Sequence, residues 1–488
     1  MDDPSERGSL ADKRVLDPKV VHHIHLVGIG GIGLSAIARV LHAWGYQVSG
    51  SDVQPSTLTK QLETEGIDVY IGHQGEQMRG ADLVIMSSAV RDDNPEVLAA
   101  RQSGIPVLHR THVLGEMMAD RYGIAVAGTH GKTTTTALIS FVLAQLGLDP
   151  TCIVGGVMND TGSNARVGNG PYFVVEADEY DRTFLGLRPK LAVVTIVEMD
   201  HPDCFASLAD VEQAFCDFAD TLPDDGILVG GFDCSFVREL VQRSSQRGMT
   251  RTVGYGLAAG CDWTARGIAV NAWGGNDFDA VLGGRVVARA SIRLTGVHNV
   301  CNALAVLATA HSLGLDLQQV TEALGRFTGV QRRFELKGIA GDVVVIDDYA
   351  HHPTEIRATL EAARRRYGKR PIWVVFQPHT FSRTRSLLDE FAASFADADH
   401  VIVTDIYAAR ETDDGAVHAR DIVARMRHAD ARYIASLREA VSVLVKNVRP
   451  GEVVLTLGAG NGNIVGEKLL ALLPDEVEDD KGMRHYGP

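Results

Sequence analysis

A short glycine-rich turn between a strand and a helix constrains this chain more than any other part of its sequence. The segment 125–136, AVAGTHGKTTTT, runs from apolar residues through Gly-x-x-Gly-Lys-Thr into a helix. In such a turn, backbone N–H groups and the helix N-terminus bind phosphate, a lysine neutralises its charge and a threonine hydroxyl reaches magnesium. The usual spacing needs glycine where this chain has Val126, so the loop is shortened and contains His130. The motif predicts a nucleoside triphosphate site in an α/β domain.

Length and composition narrow the class of protein. A chain of 488 residues exceeds what one hydrophobic core supports, so two to four domains are expected. The net charge of −15 argues against a nucleic-acid surface, and no apolar run approaches the roughly 18 to 20 residues that span a bilayer. The N-terminus has no apolar signal region and the cysteines form no C-x-x-C pair, which predicts a cytoplasmic protein. The six cysteines are at positions 152, 204, 216, 234, 261 and 301.

The first segment, 1–120, opens with a strand, a glycine turn and an amphipathic helix, IHLVGIGGIGLSAIARVLHAWG. Gly28, Gly30 and Gly33 fit G-x-G-x-x-G, and Asp52 ends the second strand where a ribose-binding acid is expected. This pattern indicates a diphosphate near a helix N-terminus. It is compatible with both an NAD enzyme and a UDP-sugar binder. Further strands are expected at 83–88 and 106–109.

The second segment, 121–328, contains two continuous apolar strands, YFVVEAD and LAVVTIV, as expected for strands buried on both faces of a sheet. Each strand ends in polar side chains at the carboxyl edge, where open α/β sheets bind ligands. From about residue 250 to 295, short glycine-rich alternating strands predict an antiparallel insert or edge sheet, and a helix is expected from His298. The strand-end polar residues are Glu176, Asp178, Glu179, Glu198, Asp200, His201 and Asp203.

The third segment, 329–488, repeats the alternation of strand and helix four times. The predicted fold is therefore α/β with three domains: a Rossmann-like N-terminal domain, a central P-loop ATPase-like domain and a Rossmann-like C-terminal domain. Clefts between such domains are common places for multi-substrate sites. The acidic tail, 474–488, is interpreted as a solvated end.

Ten motifs in one order extend the evidence over nearly the whole chain. They are VGIGGIGLSAIA, SGSD, GTHGKTTTT, VVEADEYD, EMDHPD, GVHNVCNALA, GVQRRFE, DDYAHHPTEI, FQPHTFSRT and DIYAARET. Together they resemble the Mur ligases, the ATP-dependent amide-forming enzymes of bacterial peptidoglycan precursor synthesis. The resemblance implies that ATP and Mg²⁺ are cofactors and that L-alanine is joined to the carboxylate of UDP-N-acetylmuramate through an acyl phosphate.

The resemblance also implies roles for single residues. Lys132, Glu176, His201 and Arg333 match the family's catalytic positions, and Thr133, Glu176 and His201 match its magnesium ligands, although histidine is an unusual ligand for that ion. Asn299 and Asn302 lie in the sequence HNVCN, which fits the pattern HNxxN. Taken alone, this pattern would more simply indicate a helix N-cap. The residues expected to contact ATP are Gly128, Thr129, His130, Gly131, Lys132, Thr133, Thr134, Asn299, Asn302, Arg333 and Asp348.

The two other substrates are assigned in the same way. Many family members have an arginine directly after the histidine of FQPH, where this chain has Thr380, so that charge is expected from Arg383 or Arg385. The segment GAGNGNI, residues 458–464, also lacks the aspartate that family members usually have before the final glycine unit. The residues expected at the UDP-sugar are Gly28, Gly30, Gly31, Gly33, Asp52, Ser87, Ser88 and His130. Those expected at alanine are Tyr349, His351, His352, His379 and Arg383.

One absence favours the alanine-adding branch of the family. Ligases that add later amino acids resemble one another in a carbamylated lysine downstream of the histidine, but the segment after His201, HPDCFASLADVEQAFCDFADTL, contains no lysine. A peptide-recycling ligase, which attaches a tripeptide to the same UDP-sugar, shares most motifs and stays an alternative. A second alternative, an NAD-dependent oxidoreductase, is supported only by the first glycine loop. A non-catalytic nucleotide-binding regulator is a third alternative. A monomer or homodimer is expected.

Overall fold

Three separate β-sheets organise the chain. The computed structural model describes residues 15–248 and 251–474, so most of the acidic tail lies outside the described residues. The sheets have five, ten and six strands and follow one another along the sequence, one in each predicted segment. The predicted α/β class with three successive units is confirmed, while the segment boundaries at 120/121 and 328/329 stay predictions. No helix in the described ranges combines the length and the apolar character needed to cross a membrane.

The N-terminal sheet is parallel throughout and has the order β3-β2-β1-β4-β5, as expected of a Rossmann-like unit. Its first turn needs Gly28, whose φ is 86°. Strand β3 was not expected, because its four residues are mostly exposed and show no apolar run. The strands are β1 (His23–Val27), β2 (Gln47–Asp52), β3 (Asp68–Ile71), β4 (Leu83–Met86) and β5 (Val107–His109); the helices are α1 (Ile32–Ala43), α2 (Thr57–Thr64), α3 (Pro95–Gln102) and α4 (Arg110–Ala119).

The central sheet has the order β15-β14-β13-β12-β11-β10-β6-β9-β7-β8. Its middle strands are parallel and fully buried, whereas β13, β14 and β15 pair antiparallel and extend the same sheet at one edge, as predicted. The strands are β6 (Tyr122–Ala127), β7 (Thr151–Met158), β8 (Ser163–Arg166), β9 (Tyr172–Glu176), β10 (Leu191–Val194), β11 (Ile227–Gly231), β12 (Arg251–Tyr255), β13 (Trp263–Val270), β14 (Asn276–Leu282) and β15 (Arg285–Ile292). The helices are α5 (Lys132–Gln145), α6 (Leu208–Ala219), α7 (Ser235–Gln246), α8 (Val297–Ser312) and α9 (Leu317–Leu324).

The C-terminal sheet has the order β16-β17-β21-β18-β19-β20, with only β16 antiparallel. Its four central strands are the apolar runs predicted for a doubly wound unit. The strands are β16 (Glu335–Ala340), β17 (Val343–Asp348), β18 (Ile372–Phe376), β19 (His400–Val403), β20 (Ala431–Tyr433) and β21 (Val453–Leu457). The helices are α10 (Pro353–Tyr367), α11 (Phe381–Ser386), α12 (Leu388–Ala392), α13 (Ala419–Arg425), α14 (Leu437–Asn447) and α15 (Asn463–Leu472).

Buried polar contacts join the three units. The side-chain amide of Asn164 in the central unit donates to the carbonyl of Ile32 (2.6 Å) and to the hydroxyl of Ser35 (2.9 Å), both on α1. Between the central and C-terminal units, Nε of Arg383 donates to Oδ1 of Asp200 over 2.8 Å, and both side chains are buried. Because a buried charge pair is costly to separate, the pair of Arg383 and Asp200 holds the central and C-terminal units together.

Candidate active site

A cleft of about 410 Å³ lies where the three units meet. The N-terminal unit contributes Gly33 and Arg110, the central unit Lys132 and the C-terminal unit Tyr349. Domain interfaces of this size are typical places for ligands. The other predicted site residues that line the cleft are Thr129, Gly131, Thr133, Glu176, His201, Arg333 and His351.

The phosphate-binding loop connects β6 to α5 and holds its lysine in place. Nζ of Lys132 donates to the carbonyls of Gly128 and Thr129 and lies 2.8 Å from a carboxylate oxygen of Glu179. Burial works against the charge of Lys132, but Glu179 and Asp178 outweigh it and raise its pKa, so the ammonium group is retained. A protonated lysine at a helix N-terminus is suited to binding phosphate oxygens.

The predicted magnesium ligands supply the expected donor atoms. The hydroxyl of Thr133 donates to Oε1 of Glu176 (3.0 Å), and Oε2 of Glu176 accepts the N–H of Gly155 (2.7 Å). A Cβ atom at Gly155 would lie 2.4 Å from that carboxylate, so a side chain there would displace the carboxylate of Glu176. Burial lowers the pKa of His201 more than Asp200 raises it, which leaves a neutral imidazole with a free lone pair. The hydroxyl and carboxylate oxygens fit magnesium well, and the imidazole is the unusual member of the set.

His130 lies between two carboxylates. Its Nε2 is 3.3 Å from Oε2 of Glu198 and its Nδ1 is 3.2 Å from Oε1 of Glu355. Burial opposes the imidazolium charge, but these hydrogen bonds outweigh it and raise the pKa of His130 to about 9. Potential metal-ligand atoms of His130, Glu198 and His352 lie within 4.8 Å of one another. Because protonated His130 has no free lone pair, it forms an ion pair with Glu198, and the pKa of His352 is lowered to about 4 by burial, so that this ring is neutral.

A second cavity of about 280 Å³ adjoins the first at the phosphate-binding loop. His130 faces this cavity and does not line the first, which favours its predicted contact with ATP over its predicted contact with the sugar. Gly131 and Arg333 line both cavities. The remaining predicted ATP residues that line the second cavity are Thr134, Asn299, Asn302 and Asp348.

The asparagine pair of α8 is hydrogen-bonded within the second cavity. Nδ2 of Asn302 donates to Oδ1 of Asn299 (2.9 Å), and Nδ2 of Asn299 donates to the carbonyl of Thr295 (2.7 Å). Oδ1 of Asn302 also accepts the hydroxyl of Thr135 on α5 (3.2 Å). The helix begins after Gly296 without a side-chain cap, so neither asparagine is the N-cap that a lone HNxxN would suggest.

Arg333 extends from the C-terminal unit across the cleft. Its Nη2 lies 3.4 Å from the hydroxyl of Thr133, its Nη1 lies 3.7 Å from Oε1 of Glu355, and its guanidinium packs over the ring of Tyr349. A cation in this position is suited to stabilising charge on a transferring phosphoryl group.

Asp348 shapes the backbone around Arg333. Its carboxylate accepts the N–H groups of Phe334 and Ala350, both over 2.7 Å. Burial raises the pKa of Asp348 to about 6, although Arg333 opposes this shift. Asp348 therefore orients the segment that carries Arg333, while its side chain also lines the second cavity.

The residues predicted for alanine separate into two groups. The rings of His351 and His379 lie 5.9 Å apart, and Nη1 of Arg383 is 3.2 Å from Nδ1 of His379. Burial, reinforced by His351 and Arg383, lowers the pKa of His379 to about 3. His352 instead caps the start of α10 and faces the carbonyl of Met199.

The structure distinguishes the two arginines that could replace the missing family arginine. Arg383 is buried against Asp200, whereas Arg385 is exposed and pairs with Asp414 at the surface. Thr380 itself has a φ of 65° and its hydroxyl accepts the N–H of Arg383. Arg383 therefore lies beside Asp200 and His379 but is not among the residues that line either cavity, and Arg385 lies at the surface.

The glycine turn of the N-terminal unit lies at the carboxyl edge of the first sheet. Oδ2 of Asp52 accepts the N–H of Gly30 (2.9 Å), so this acid shapes the turn that it was predicted to accompany. A Cβ atom at Gly33 would lie 2.4 Å from Nη1 of Arg110. Gly33 lines the large cleft, whereas the following predicted residues lie outside both cavities: Gly28, Gly30, Gly31, Asp52, Ser87 and Ser88.

Three residues of the site were not predicted. Arg110 begins α4, Glu355 lies in the first turn of α10, and Arg410 follows β19. Each pairs with a residue of another unit: Arg110 with Asp178, Glu355 with His130, and Arg410 with Asp203. Glu355 and Arg410 lie inside two of the ten motifs, DDYAHHPTEI and DIYAARET, and this was the available signal, although it does not identify the partner.

Comparison with known proteins agrees with this geometry. Family models match all three parts of the chain: "Mur ligase family, catalytic domain" over residues 23–122, "Mur ligase middle domain" over 126–310 and "Mur ligase, glutamate ligase domain" over 332–460. The matches fall on the three sheets in the same order.

Individual relatives match over nearly their whole length. The UDP-N-acetylmuramate–L-alanine ligase of Acetivibrio thermocellus is 43% identical over 461 residues, which cover 93% of this chain and 97% of that protein. The corresponding ligase of Syntrophobacter fumaroxidans is 44% identical, with coverage of 93% and 97%. Among solved structures, the UDP-N-acetylmuramate–alanine ligase of Thermotoga maritima has a TM-score of 0.78 at 31% identity and covers 92% of this chain and 98% of its own. A murein peptide ligase from Psychrobacter arcticus has a TM-score of 0.70 at 25% identity, with coverage of 93% and 99%. As the motifs predicted, this chain belongs to the Mur ligase family.

Proposed function

We propose that the protein joins L-alanine to the carboxylate of UDP-N-acetylmuramate, with cleavage of ATP to ADP and phosphate. The observation that carries this proposal is the single cleft lined by Lys132, Glu176 and Arg333 together with residues of all three units. A ligase of three substrates needs such a junction, because each substrate must reach the same reacting carboxyl group. Relatives at 42–44% identity carry the name of this activity.

The first step forms an acyl phosphate. A carboxylate oxygen of the sugar attacks the γ-phosphorus of ATP, the bond to the β,γ-bridging oxygen breaks, and ADP leaves. Lys132 of the central unit and Arg333 of the C-terminal unit neutralise the charge of the transferring group, which is the main contribution that a protein makes to phosphoryl transfer. The asparagine pair and Asp348 are assigned to the nucleoside of ATP in the second cavity.

Magnesium is assigned to Thr133, Glu176 and His201. When bound, the ion neutralises phosphate charge and holds the reacting oxygens in position. The chain itself contributes a preformed hydrogen bond between Thr133 and Oε1 of Glu176, and the N–H of Gly155 holds the other carboxylate oxygen of Glu176. Glu176 is thus oriented before any ligand arrives.

The second step forms the amide. The amine of alanine attacks the carbonyl carbon of the acyl phosphate, a C–N bond forms, and inorganic phosphate leaves with the C–O bond electrons. Arg383 is assigned to the alanine carboxylate, with Tyr349, His351 and His379 around it. The alanine ammonium must lose a proton before attack, and His379, whose pKa is lowered to about 3, is too weak a base to accept it, so the proton passes to solvent.

Product analysis tests the proposal. The protein would be incubated with ATP, Mg²⁺ and UDP-N-acetylmuramate, together with either L-alanine or the tripeptide used by recycling ligases, and phosphate release and UDP-sugar products would be measured. We expect faster turnover with alanine. Faster turnover with the tripeptide would contradict the alanine assignment, and NAD reduction without ATP consumption would favour an oxidoreductase. Binding of ATP without turnover would favour a non-catalytic regulator. The monomeric or homodimeric state and the cytoplasmic location stay predictions.

A further inference from the structure

The backbone at His201 adopts an unusual conformation. Its φ is 52°, in the left-handed region that residues with a side chain rarely adopt. Such a conformation persists only where the surroundings hold it. His201 lies in the loop after β10, between Asp200 and Asp203, and each of these acids contacts an arginine of the C-terminal unit.

The first of these contacts holds the backbone. Oδ1 of Asp200 accepts the N–H of His201 over 2.7 Å. The same oxygen accepts Nε of Arg383 over 2.8 Å. Arg383 is already assigned to the alanine site, so this side of the loop is explained by the proposed reaction.

The second contact reaches the imidazole ring and is not explained by that reaction. The ring of Tyr180 packs edge-on against the ring of His201, with centroids 5.1 Å apart. The hydroxyl of Tyr180 donates to Oδ2 of Asp203 over 3.1 Å. Nη2 of Arg410 donates to the same oxygen over 2.7 Å, and its guanidinium carbon lies 4.2 Å from the centroid of the Tyr180 ring.

We propose that Arg410 is a positioning residue that fixes the imidazole of His201 through Tyr180 and Asp203. Arg410 belongs to the C-terminal unit and its partners to the central unit, so its contacts form only when the two units are together. Within the central unit, Nε2 of His201 also lies 3.9 Å from Oε1 of Glu179 and 3.7 Å from Oδ2 of Asp200. The guanidinium suits both contacts because it donates in its plane and stacks through its face. This inference rests on the proposed function, because that function gives His201 its role in the reaction.

Hydrogen exchange tests the positioning without any substrate. The N–H groups of Cys204 and Phe205 donate to the carbonyl of His201, so their exchange reports on this loop. We expect Arg410→Ala to accelerate exchange of the peptide that covers 198–206 by about threefold to tenfold, since one charge-assisted hydrogen bond and one cation–π contact are lost. Arg420→Ala is the matched control, because Arg420 is exposed and packs over Tyr433 within the C-terminal unit. Unchanged exchange in Arg410→Ala, or an equal change in Arg420→Ala, would overturn the proposal.

Kinetics with the same variants test the consequence for the reaction. We expect Arg410→Ala to lower kcat by about threefold to tenfold while the Kd for ATP stays within twofold, and Arg410→Lys, which keeps the charge opposite Asp203, to give an intermediate kcat. The double variant Asp203→Arg/Arg410→Asp, in which the two charges are swapped, should recover part of the activity that either single substitution removes. A lower affinity for ATP with unchanged kcat would overturn the positioning role. If the wild-type protein forms no UDP-sugar product, the proposed function is wrong. The hydrogen-exchange test of the positioning role remains valid in that case, because it needs no substrate.

Discussion

Nδ1 of His130 lies 3.2 Å from Oε1 of Glu355, which joins the phosphate-binding loop directly to the first turn of α10. The other ring nitrogen faces Glu198. Burial opposes the charge of the imidazole, but the two carboxylates outweigh it and raise the pKa of His130 to about 9. The loop expected to bind ATP therefore carries a positive charge with one partner, Glu198, in its own unit and another, Glu355, in the neighbouring unit.

The stability of this arrangement should depend on pH. The pKa of His130 is about 6.5 in an unfolded chain and about 9 in the folded protein, so folding takes up a proton between these values. The resulting stabilisation is fully present below about pH 6.5 and is lost as the pH rises through about 9. We expect the Tm of the wild type to fall more steeply between about pH 7 and 9.5 than that of His130→Gln. Thermal unfolding across this range checks the prediction, and parallel curves for the two proteins would contradict it.

Loss of the Lys132 ammonium should slow turnover and, because it leaves the buried Glu179 without its cation, should also lower stability. Lys132→Ala removes a charge from the phosphate-binding loop, and we expect phosphate release to slow by about 100-fold or more, as for other losses of transition-state charge stabilisation. Lys190→Ala is a suitable control, because Lys190 pairs with Asp225 at the surface of the same unit. Turnover of Lys132→Ala within a few-fold of wild type would refute the role assigned to this lysine.

The sequence predicted the parts of the fold that depend on local patterns. The buried parallel strands are continuous apolar runs, and the two glycine turns lie between a strand and a helix as their spacing indicated. The strands that were not predicted include β3, β7 and β8. β3 is exposed, β7 is interrupted by Gly155 and Gly156, and β8 has only four residues, so none of them carries a clear periodicity.

The site could be predicted only where a motif specifies it. Lys132, Thr133 and Glu176 were recognised because they lie in or next to such motifs. The pairing of His130 with Glu355 joins residues 225 positions apart, and that of Arg410 with Asp203 joins residues 207 apart. No local pattern relates such positions, since their contact depends on how the domains pack. The same limit explains why Arg383 and Arg385 could not be distinguished from sequence.

Arg383 and Arg385 should differ sharply in their effect on alanine. Arg383 is buried beside His379, while Arg385 is exposed and pairs with Asp414. We expect Arg383→Lys to raise the KM for alanine by about tenfold, because the lysine keeps a charge opposite Asp200 but loses the planar donor geometry that suits a carboxylate. Arg383→Ala would leave Asp200 buried without a partner and cost about 3 to 5 kcal/mol of stability, so the lysine variant is the more informative one.

The control for this prediction lies on the same helix. Arg385→Ala should leave the KM for alanine within twofold of wild type, since surface ion pairs contribute little. Steady-state kinetics with alanine varied at saturating ATP and UDP-N-acetylmuramate measure both variants. Equal effects of the two substitutions would contradict the assignment of Arg383 to the substrate carboxylate.

Arg110 should affect the UDP-sugar selectively. Its Nη2 lies 2.5 Å from Oδ2 of Asp178, and its Nη1 occupies the space beside Gly33 at the start of α1, where the diphosphate is expected. We expect Arg110→Ala to raise the KM for UDP-N-acetylmuramate by about tenfold and to leave the KM for alanine within twofold. Gly33→Ala should have a similar effect, because the added methyl group would lie 2.4 Å from Nη1 and displace the guanidinium. Arg101→Ala, which removes an exposed pair with Asp92 in the same unit, provides the control. An equal increase in both KM values would indicate that Arg110 acts through domain packing and not through contact with the sugar nucleotide.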